Sequence, residues 1–479
     1  MKNVIIYQRG VMMNYIDDID KKILKEFEQL PSGFWDFYDS STNELIHGLH
    51  NYPAVMIYPI SRNILNIVSK HKKINCLFDP FVGSGTVLVE GQIKNIPYVI
   101  GNDLNPLARL ITCAKTTMLS NDDIDSLKII QKKINKKLAK FKPILVEFDK
   151  HIKSNYDISS KTGWANNAEE LTNKFLHEKN IKLIVNNPFK NLGYWFSPST
   201  IIPLQIIKNE ISLTKGSRIN AMLNCAFSEL VRFVSNTRNS EFKLYRMKKE
   251  KIYDIFFDVE KEFNRILEKN IGKMQEYVEN ISSNSIISIY SENAQSLNSI
   301  KDESVDIVIT SPPYGDSHTT VAYGQFSKLS SQWLGLIENE NIDSLLLGGR
   351  KQKNYDVKSL KSAKLESTIN ILMEIDKKRA NEILSFYFDL DKSIEKITMK
   401  TKKNGYQFWV VGNRTVKKTL LETDVIISEM AEKYGLKLLR KDYRKISNKV
   451  MPLLNSPTNV AGDTITTMAN EIILFFKKI

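Results

Sequence analysis

Cysteine is scarce in this chain: Cys76, Cys113 and Cys225 are the three in 479 residues, and they lie far apart. No pair stands at CxxC spacing, which excludes a secreted disulfide-stapled scaffold and argues against a cysteine-ligated zinc site. Histidine is scarce too, with six residues that offer no metal-ligating set, so no metal is expected. An uncharged apolar run of the roughly 18 residues that a membrane span needs is missing. The opening MKNVIIYQRGVMMNYIDD is too short and interrupted for a signal peptide. At 42% hydrophobic and 25% charged residues, the composition is that of a soluble globular chain. A cytoplasmic protein without a membrane partner is expected.

Acidic residues fall short of basic ones, 54 against 68, for a net charge of +14. Such an excess draws a protein toward polyanions, because releasing condensed counterions favours binding to phosphate backbones. Basic residues that merely solvate surface helices give the same count, so charge alone leaves nucleic acid open.

What the chain does contain is an α/β pattern. INCLFDPFVGSGTVLVEG (74–91) reads as a buried strand at 76–78, a glycine turn, and a helix from Ser84 or Gly85. YVIGNDLNPLARLITCAK (98–115) reads as a second strand ending near Asp103 and a second helix, with Asn105 as N-cap and Pro106 at the first helical position. Two such units open a doubly wound sheet. Strand patterns return at 286–290, 305–310, 405–413, 437–446 and 471–476, with a helix over about 422–435. Between them the pattern is helical and lysine-rich, with IKLIV at 181–185 as the main strand signal. The expected fold is thus a doubly wound Rossmann-like α/β sheet interrupted by a largely helical insertion. The domains read as an extension over 1–44, the first part of the sheet over 45–115, the insertion over 116–280 and the rest of the sheet over 281–479.

Two motifs carry chemistry. In DPFVGSGT, Asp79 ends a strand, and Gly83 and Gly85 remove side chains where backbone must approach a ligand. The following helix start presents unpaired N–H groups. Asp103 ends the next strand, where a carboxylate can take the two hydroxyls of a ribose. The turn lacks the third glycine of a dinucleotide site and the lysine of a P-loop, so a nucleoside cofactor is expected. The second motif is Ser311-Pro312-Pro313-Tyr314, directly after VDIVIT. Two prolines cannot donate hydrogen bonds and hold the backbone extended, leaving carbonyl oxygens toward the crevice. Ser311 adds a hydroxyl and Tyr314 a flat face. The set suits a planar ring with an exocyclic amine.

DPFVGSGT followed by SPPY resembles the amino-methylating DNA methyltransferases of restriction-modification systems, which use S-adenosylmethionine to modify cytosine N4 or adenine N6. GLHNYPAVMIYPISRNIL (48–65) is similar to that family's cofactor-covering segment, GNDLNPLA to its ribose-binding motif, and SENAQSL to its adenine-contacting segment, with Asn293 at the acidic position. TTVAYGQFSKLSSQWL, VVGNRTV and YRKISNKVMPLLNSP are similar to segments that follow the catalytic motif. The resemblance covers about 45–115 and 285–479 and leaves the insertion out.

It implies S-adenosylmethionine bound by Tyr52, Pro53, Asp79, Pro80, Phe81, Gly83, Ser84, Gly85, Thr86, Asp103, Leu104, Asn293 and Ala294. It also implies a base flipped out of duplex DNA into the catalytic set Ser311, Pro312, Pro313 and Tyr314, with direct in-line transfer. Carbon-5 methylation is excluded, because no cysteine follows a proline to act as nucleophile. Serine before Pro-Pro-Tyr points to cytosine N4 ahead of adenine N6, with RNA or protein amides and a non-catalytic DNA-binding role behind both. His47 and His50 read as structural hydrogen-bonders. Within the insertion, Lys132, Lys133, Lys136 and Lys137 read as a solvated face or a phosphate contact, and RNSEFKLYRMKKEK (238–251) is the preferred DNA-contacting stretch. NNPF inside 181–196 reads as a structural strand and loop. A separate cognate endonuclease is an expected partner.

Overall fold

Four consecutive buried residues, Cys76–Asp79, form the central strand β1. They belong to a computed structural model that describes residues 16–479, apart from 39–40, 42, 54, 188, 190, 215, 217, 239–241, 316–320, 337–341, 350–355, 447–453, 456–464 and 467–469. Much of the segment YRKISNKVMPLLNSP and the first residues of TTVAYGQFSKLSSQWL lie outside the described residues.

The other strands of the main sheet are β2 (Tyr98–Asn102), β3 (Ile286–Tyr290), β4 (Val305–Thr310), β5 (Thr401–Val411), β6 (Leu436–Lys445) and β7 (Asn470–Lys478). Their order is β3-β2-β1-β4-β5-β7-β6. The first five run parallel, while β7 lies antiparallel between β5 and β6. The chain is therefore a mixed α/β protein with a mostly parallel Rossmann-like sheet.

The period-2 rule sorts the core cleanly. Phe78, Val308 and Trp409 face one way, onto helices that include Lys377–Lys400. Leu77, Ile307 and Phe408 face the other way, onto the helices Asp18–Glu28 and Tyr58–His71. Both sides of every central strand are thus apolar, as a parallel sheet covered on two faces requires.

The chain leaves β1 toward β2 on one side and returns as β4 on the other. That reversal opens a crevice at the strands' carboxyl ends, where doubly wound sheets bind ligands.

From 121 to 280 the described residues build the helices Asn121–Asn155, Trp164–Glu178, Pro198–Ser212, Asn220–Phe233 and Val259–Asn280, with shorter turns between them. Their apolar faces merge into one core with the helix Pro106–Thr116 behind the glycine turn.

The strand expected at 181–185 is absent. Val185 is buried, but the amide of Asn173 takes both its N–H, at 2.8 Å, and its carbonyl, at 2.9 Å. An apolar β-branched run with no neighbouring strand stays a loop, because strand propensity reports packing on a sheet more than a backbone preference. Lys133 and Lys137 of the lysine-rich helix both hold the buried carboxylate of Glu210, so this part of the charge run fastens two helices together. In RNSEFKLYRMKKEK, Arg246 is likewise structural, donating to the carbonyls of Tyr194 and Ile158 at 2.9 and 2.8 Å. Phe242 and Tyr245 of that stretch stay exposed.

Candidate active site

The turn after β1 is shaped by its glycines in two different ways. Gly83 has φ +51°, and a Cβ there would meet nothing closer than the Tyr52 ring at 3.7 Å. Gly85 caps the helix Thr86–Ile93 at φ +84°. A Cβ on Gly85 would lie 2.9 Å from Thr112 Oγ1, so this glycine makes room for the neighbouring helix rather than for a ligand. The helix begins at Thr86, one residue beyond Gly85, and Asn105 caps the next one as its sequence indicates, accepting the Leu107 N–H at 3.1 Å.

Asp103 ties the turn together. Its carboxylate accepts the N–H of Gly83 at 2.9 Å and of Asn105 at 2.8 Å. Arg109 donates to the carbonyls of Asp103 and Leu104 at 2.7 and 2.9 Å. Burial raises the Asp103 pKa, against those N–H donors and the Arg109 charge. Across the turn, Asp79 accepts the Thr310 hydroxyl at 2.7 Å and the Phe81 N–H at 3.1 Å, which locks the end of β1 to the end of β4.

Burial pushes the Asp79 carboxyl up to about 7, against these two hydrogen bonds. The unfolded value is about 3.9, so the folded state holds the Asp79 proton more tightly. Its contribution to stability is complete below about pH 4 and is lost as pH rises toward 7. Asp79→Asn keeps an acceptor for both donors and removes that slope. Thermal unfolding across pH 4–8 should show the variant gaining on wild type toward pH 8, by at most about 4 kcal/mol.

These groups line a cleft of about 870 Å³, a volume that includes space open to solvent at its mouth. Of the residues implicated by sequence, Tyr52, Asp79, Pro80, Phe81, Gly83, Ser84, Thr86, Asp103, Leu104, Asn293, Ala294, Ser311 and Pro313 form its wall. Pro53, Gly85, Pro312 and Tyr314 are not among the residues that line it. Tyr52 closes one side, with its hydroxyl 3.1 Å from Asn105 Nδ2 and its ring stacked on Tyr323 at 6.0 Å.

Sequence reasoning missed several members of the wall, namely Tyr323, Glu292, Asn102 and Leu345–Leu347. Asn102 could have been found from its place at the end of β2. It holds the backbone of Glu292 through two 2.9 Å bonds, bringing the 292–294 segment to the cleft. Two buried polar atoms on residues of this wall, Ser84 Oγ and Glu292 Oε2, have no hydrogen-bond partner in the protein.

His47 and His50 serve the frame. His47 Nε2 lies 2.8 Å from Glu90 Oε1, and Arg62 holds the other oxygen of Glu90 at 2.8 Å. His50 Nε2 lies 2.8 Å from Ser228 Oγ. Burial lowers the pKa of both rings and keeps them neutral.

At the end of β4, Ser311 Oγ lies 3.1 Å from the Tyr314 hydroxyl, which donates to Glu471 Oε1 at 2.8 Å. Arg444 holds the second oxygen of Glu471. A serine, two prolines and an anchored tyrosine thus stand at the switch point beside a cleft walled by the buried carboxylate of Asp79 and the partly buried one of Asp103.

Residues 58–333, more than half of the chain, match the family model of the D12 class of N6 adenine-specific DNA methyltransferases. The Type II methyltransferase M.MvaI of Kocuria varians is 40% identical over 484 residues, covering 97% of this chain and 99% of that protein. Among the described residues, no helix is long and apolar enough to cross a membrane, and no group of three His, Cys, Asp or Glu residues could hold a metal ion. The glycine turn, the strand-tip aspartates and SPPY therefore belong to a site-specific DNA methyltransferase, and the chain is a member of the D12-class, restriction-modification family of amino-methyltransferases.

Proposed function

We propose that this cleft holds S-adenosylmethionine and that Ser311, Pro312 and Tyr314 present the exocyclic amine of a base flipped out of duplex DNA. The single observation that carries the reading is the placement of Ser311 on the wall of the cleft that Asp79 and Asp103 line. The residues fit the cofactor. Asp103 offers lone pairs beside the glycine turn, Tyr52 covers it, and Ser84 Oγ and Glu292 Oε2 are buried acceptors without partners. The cofactor supplies a methyl group activated by a sulfonium charge.

The chain's own residues do the rest. The Pro312 carbonyl and Ser311 hold the amine, and the Tyr314 ring stacks on the base. Flipping costs a few kcal/mol, of which stacking on Tyr314 returns ~1–3 kcal/mol. Orientation supplies most of the rate, up to ~7–11 kcal/mol in favourable cases.

Two observations bear on the target base. The matched family is described as adenine-N6 specific, which favours N6 over the cytosine N4 expected from sequence. Ser311, a neutral hydroxyl at the amine-holding position, is the observation on the side of N4. The exposed Phe242 and Tyr245 in the insertion offer stacking surfaces for DNA, and a separate endonuclease would be the partner of such a methyltransferase.

Incubation with labelled S-adenosylmethionine and unmethylated duplex DNA, followed by digestion and mass spectrometry, tests the reading. N6-methyladenine upholds the family assignment of the base, and N4-methylcytosine upholds the serine. Neither product, with cofactor bound, removes DNA as the substrate.

A further inference from the structure

Ser311 presents a chemical puzzle, because a hydroxyl can donate as well as accept and so does not by itself hold an amine in one sense. Its surroundings remove that freedom. The Tyr314 hydroxyl carries one hydrogen, and Glu471 Oε1 takes it at 2.8 Å. An ionised carboxylate only accepts, so that bond has one direction. The 3.1 Å bond between Ser311 and Tyr314 must then run from the Ser311 hydroxyl to the Tyr314 oxygen. The lone pairs of Ser311 are left for the substrate. Burial and the Glu471 charge raise the Tyr314 pKa well above that of an ordinary phenol, so the resting hydroxyl carries its hydrogen.

Glu471 is itself fixed. It sits on β7 opposite Arg444 of β6, whose guanidinium binds Oε2 and also donates to the Trp35 carbonyl at 3.1 Å.

From the chain Ser311–Tyr314–Glu471–Arg444 we infer that Glu471 is the positioning residue that makes Ser311 a one-way acceptor, and that it is the terminal base for the proton released during methyl transfer. This rests on the proposed role of Ser311. As the amine lone pair forms the nitrogen–methyl bond, the sulfur–methyl bond breaks and leaves its electron pair on sulfur. The nitrogen's surplus proton passes to Ser311 Oγ, the Ser311 proton to Tyr314 Oη, and the Tyr314 proton to Glu471. The serine and tyrosine are regenerated and Glu471 becomes a carboxylic acid, to be deprotonated by solvent. No other acid, base or metal is needed.

The test is Glu471→Gln with single-turnover transfer as the readout. Arg444 only donates, so it takes the glutamine oxygen and turns the amide NH₂ toward Tyr314. Tyr314 must then donate to Ser311, and the whole chain of bonds reverses. We expect transfer to fall about 10²-fold, the scale of a lost acid–base contribution, with cofactor and DNA affinities within about twofold of wild type. Because the two residues act as one unit, the same substitution should change little in a Tyr314→Phe background.

Wild-type rates in Glu471→Gln would overturn the inference. So would a loss that persists in the Tyr314→Phe background, or one matched by weaker cofactor binding, since each marks a merely structural role. If Glu471→Gln does not fold, Tyr314→Phe alone decides, because it leaves the Arg444–Glu471 pair intact. A loss of about tenfold or more supports the relay, and an unchanged rate removes it. The wild-type control separates the two readings: if it methylates no DNA, the proposed function fails first.

Discussion

Tyr314→Ala should lower single-turnover methyl transfer by about 10²-fold or more, leaving cofactor affinity within about twofold of wild type. Two losses combine. A stacking face worth ~1–3 kcal/mol disappears, and the Ser311 hydroxyl loses the acceptor that fixes its direction. Cofactor affinity holds because Tyr314 lies outside the wall of the cleft, where Asp79, Gly83 and Asp103 stand. Rapid-quench transfer assays alongside equilibrium cofactor titration check both halves. Unchanged transfer would take Tyr314 out of the reaction, and a matching collapse of cofactor binding would place it in the wrong half of the site.

Asp103→Ala should show the opposite pattern, with cofactor affinity falling about 10²-fold and DNA affinity nearly unchanged. Its carboxylate faces the cleft and also holds the N–H groups of Gly83 and Asn105. Hydrogen bonds to a charged group are worth ~1.5–3 kcal/mol each, so losing the ribose contact and loosening the turn both weaken the same ligand. Removing a carboxylate whose pKa desolvation raises also relieves that desolvation, so the melting temperature should move less than affinity. Equilibrium titration, electrophoretic DNA binding and a melting curve on one preparation separate the three effects. Weakened DNA binding of the same size would show that Asp103 supports the fold rather than the nucleoside.

Much of the fold was legible because its signals are local. VDIVIT reads as a buried strand from its apolar run and its abrupt end at Ser311-Pro312, and β4 spans those residues, 305–310. The Asn105–Pro106 helix start was legible for the same reason. What escaped depends on partners far away in sequence. β5 begins at Thr401 rather than at 405, because Thr401 pairs with Val305 of the adjacent strand, a pairing that no local pattern announces. The run at 181–185 has strand-like residues and no strand beside it, so Asn173 satisfies its backbone instead. Gly85 was legible as a glycine that something must approach, but only the fold shows that Thr112 fills that space. Glu471 reaches Tyr314 across 157 residues, and no spacing rule connects them.

The insertion of β7 between β5 and β6 also sets an order of events during synthesis. Until residues 470–478 have left the ribosome, β5 and β6 each lack the neighbour that their hydrogen-bonding edge requires. The unpaired edge of β5, whose residues 405–411 are all buried in the finished sheet, invites association with other chains. The same segment carries Glu471, and Lys477, whose ammonium meets Asp20 at 2.5 Å and so docks the helix Asp18–Glu28 from the other end of the sequence. A growing chain can therefore complete its glycine turn early, whereas under the proposed relay Ser311 acquires its hydrogen-bond direction only once residues 470–478 have paired.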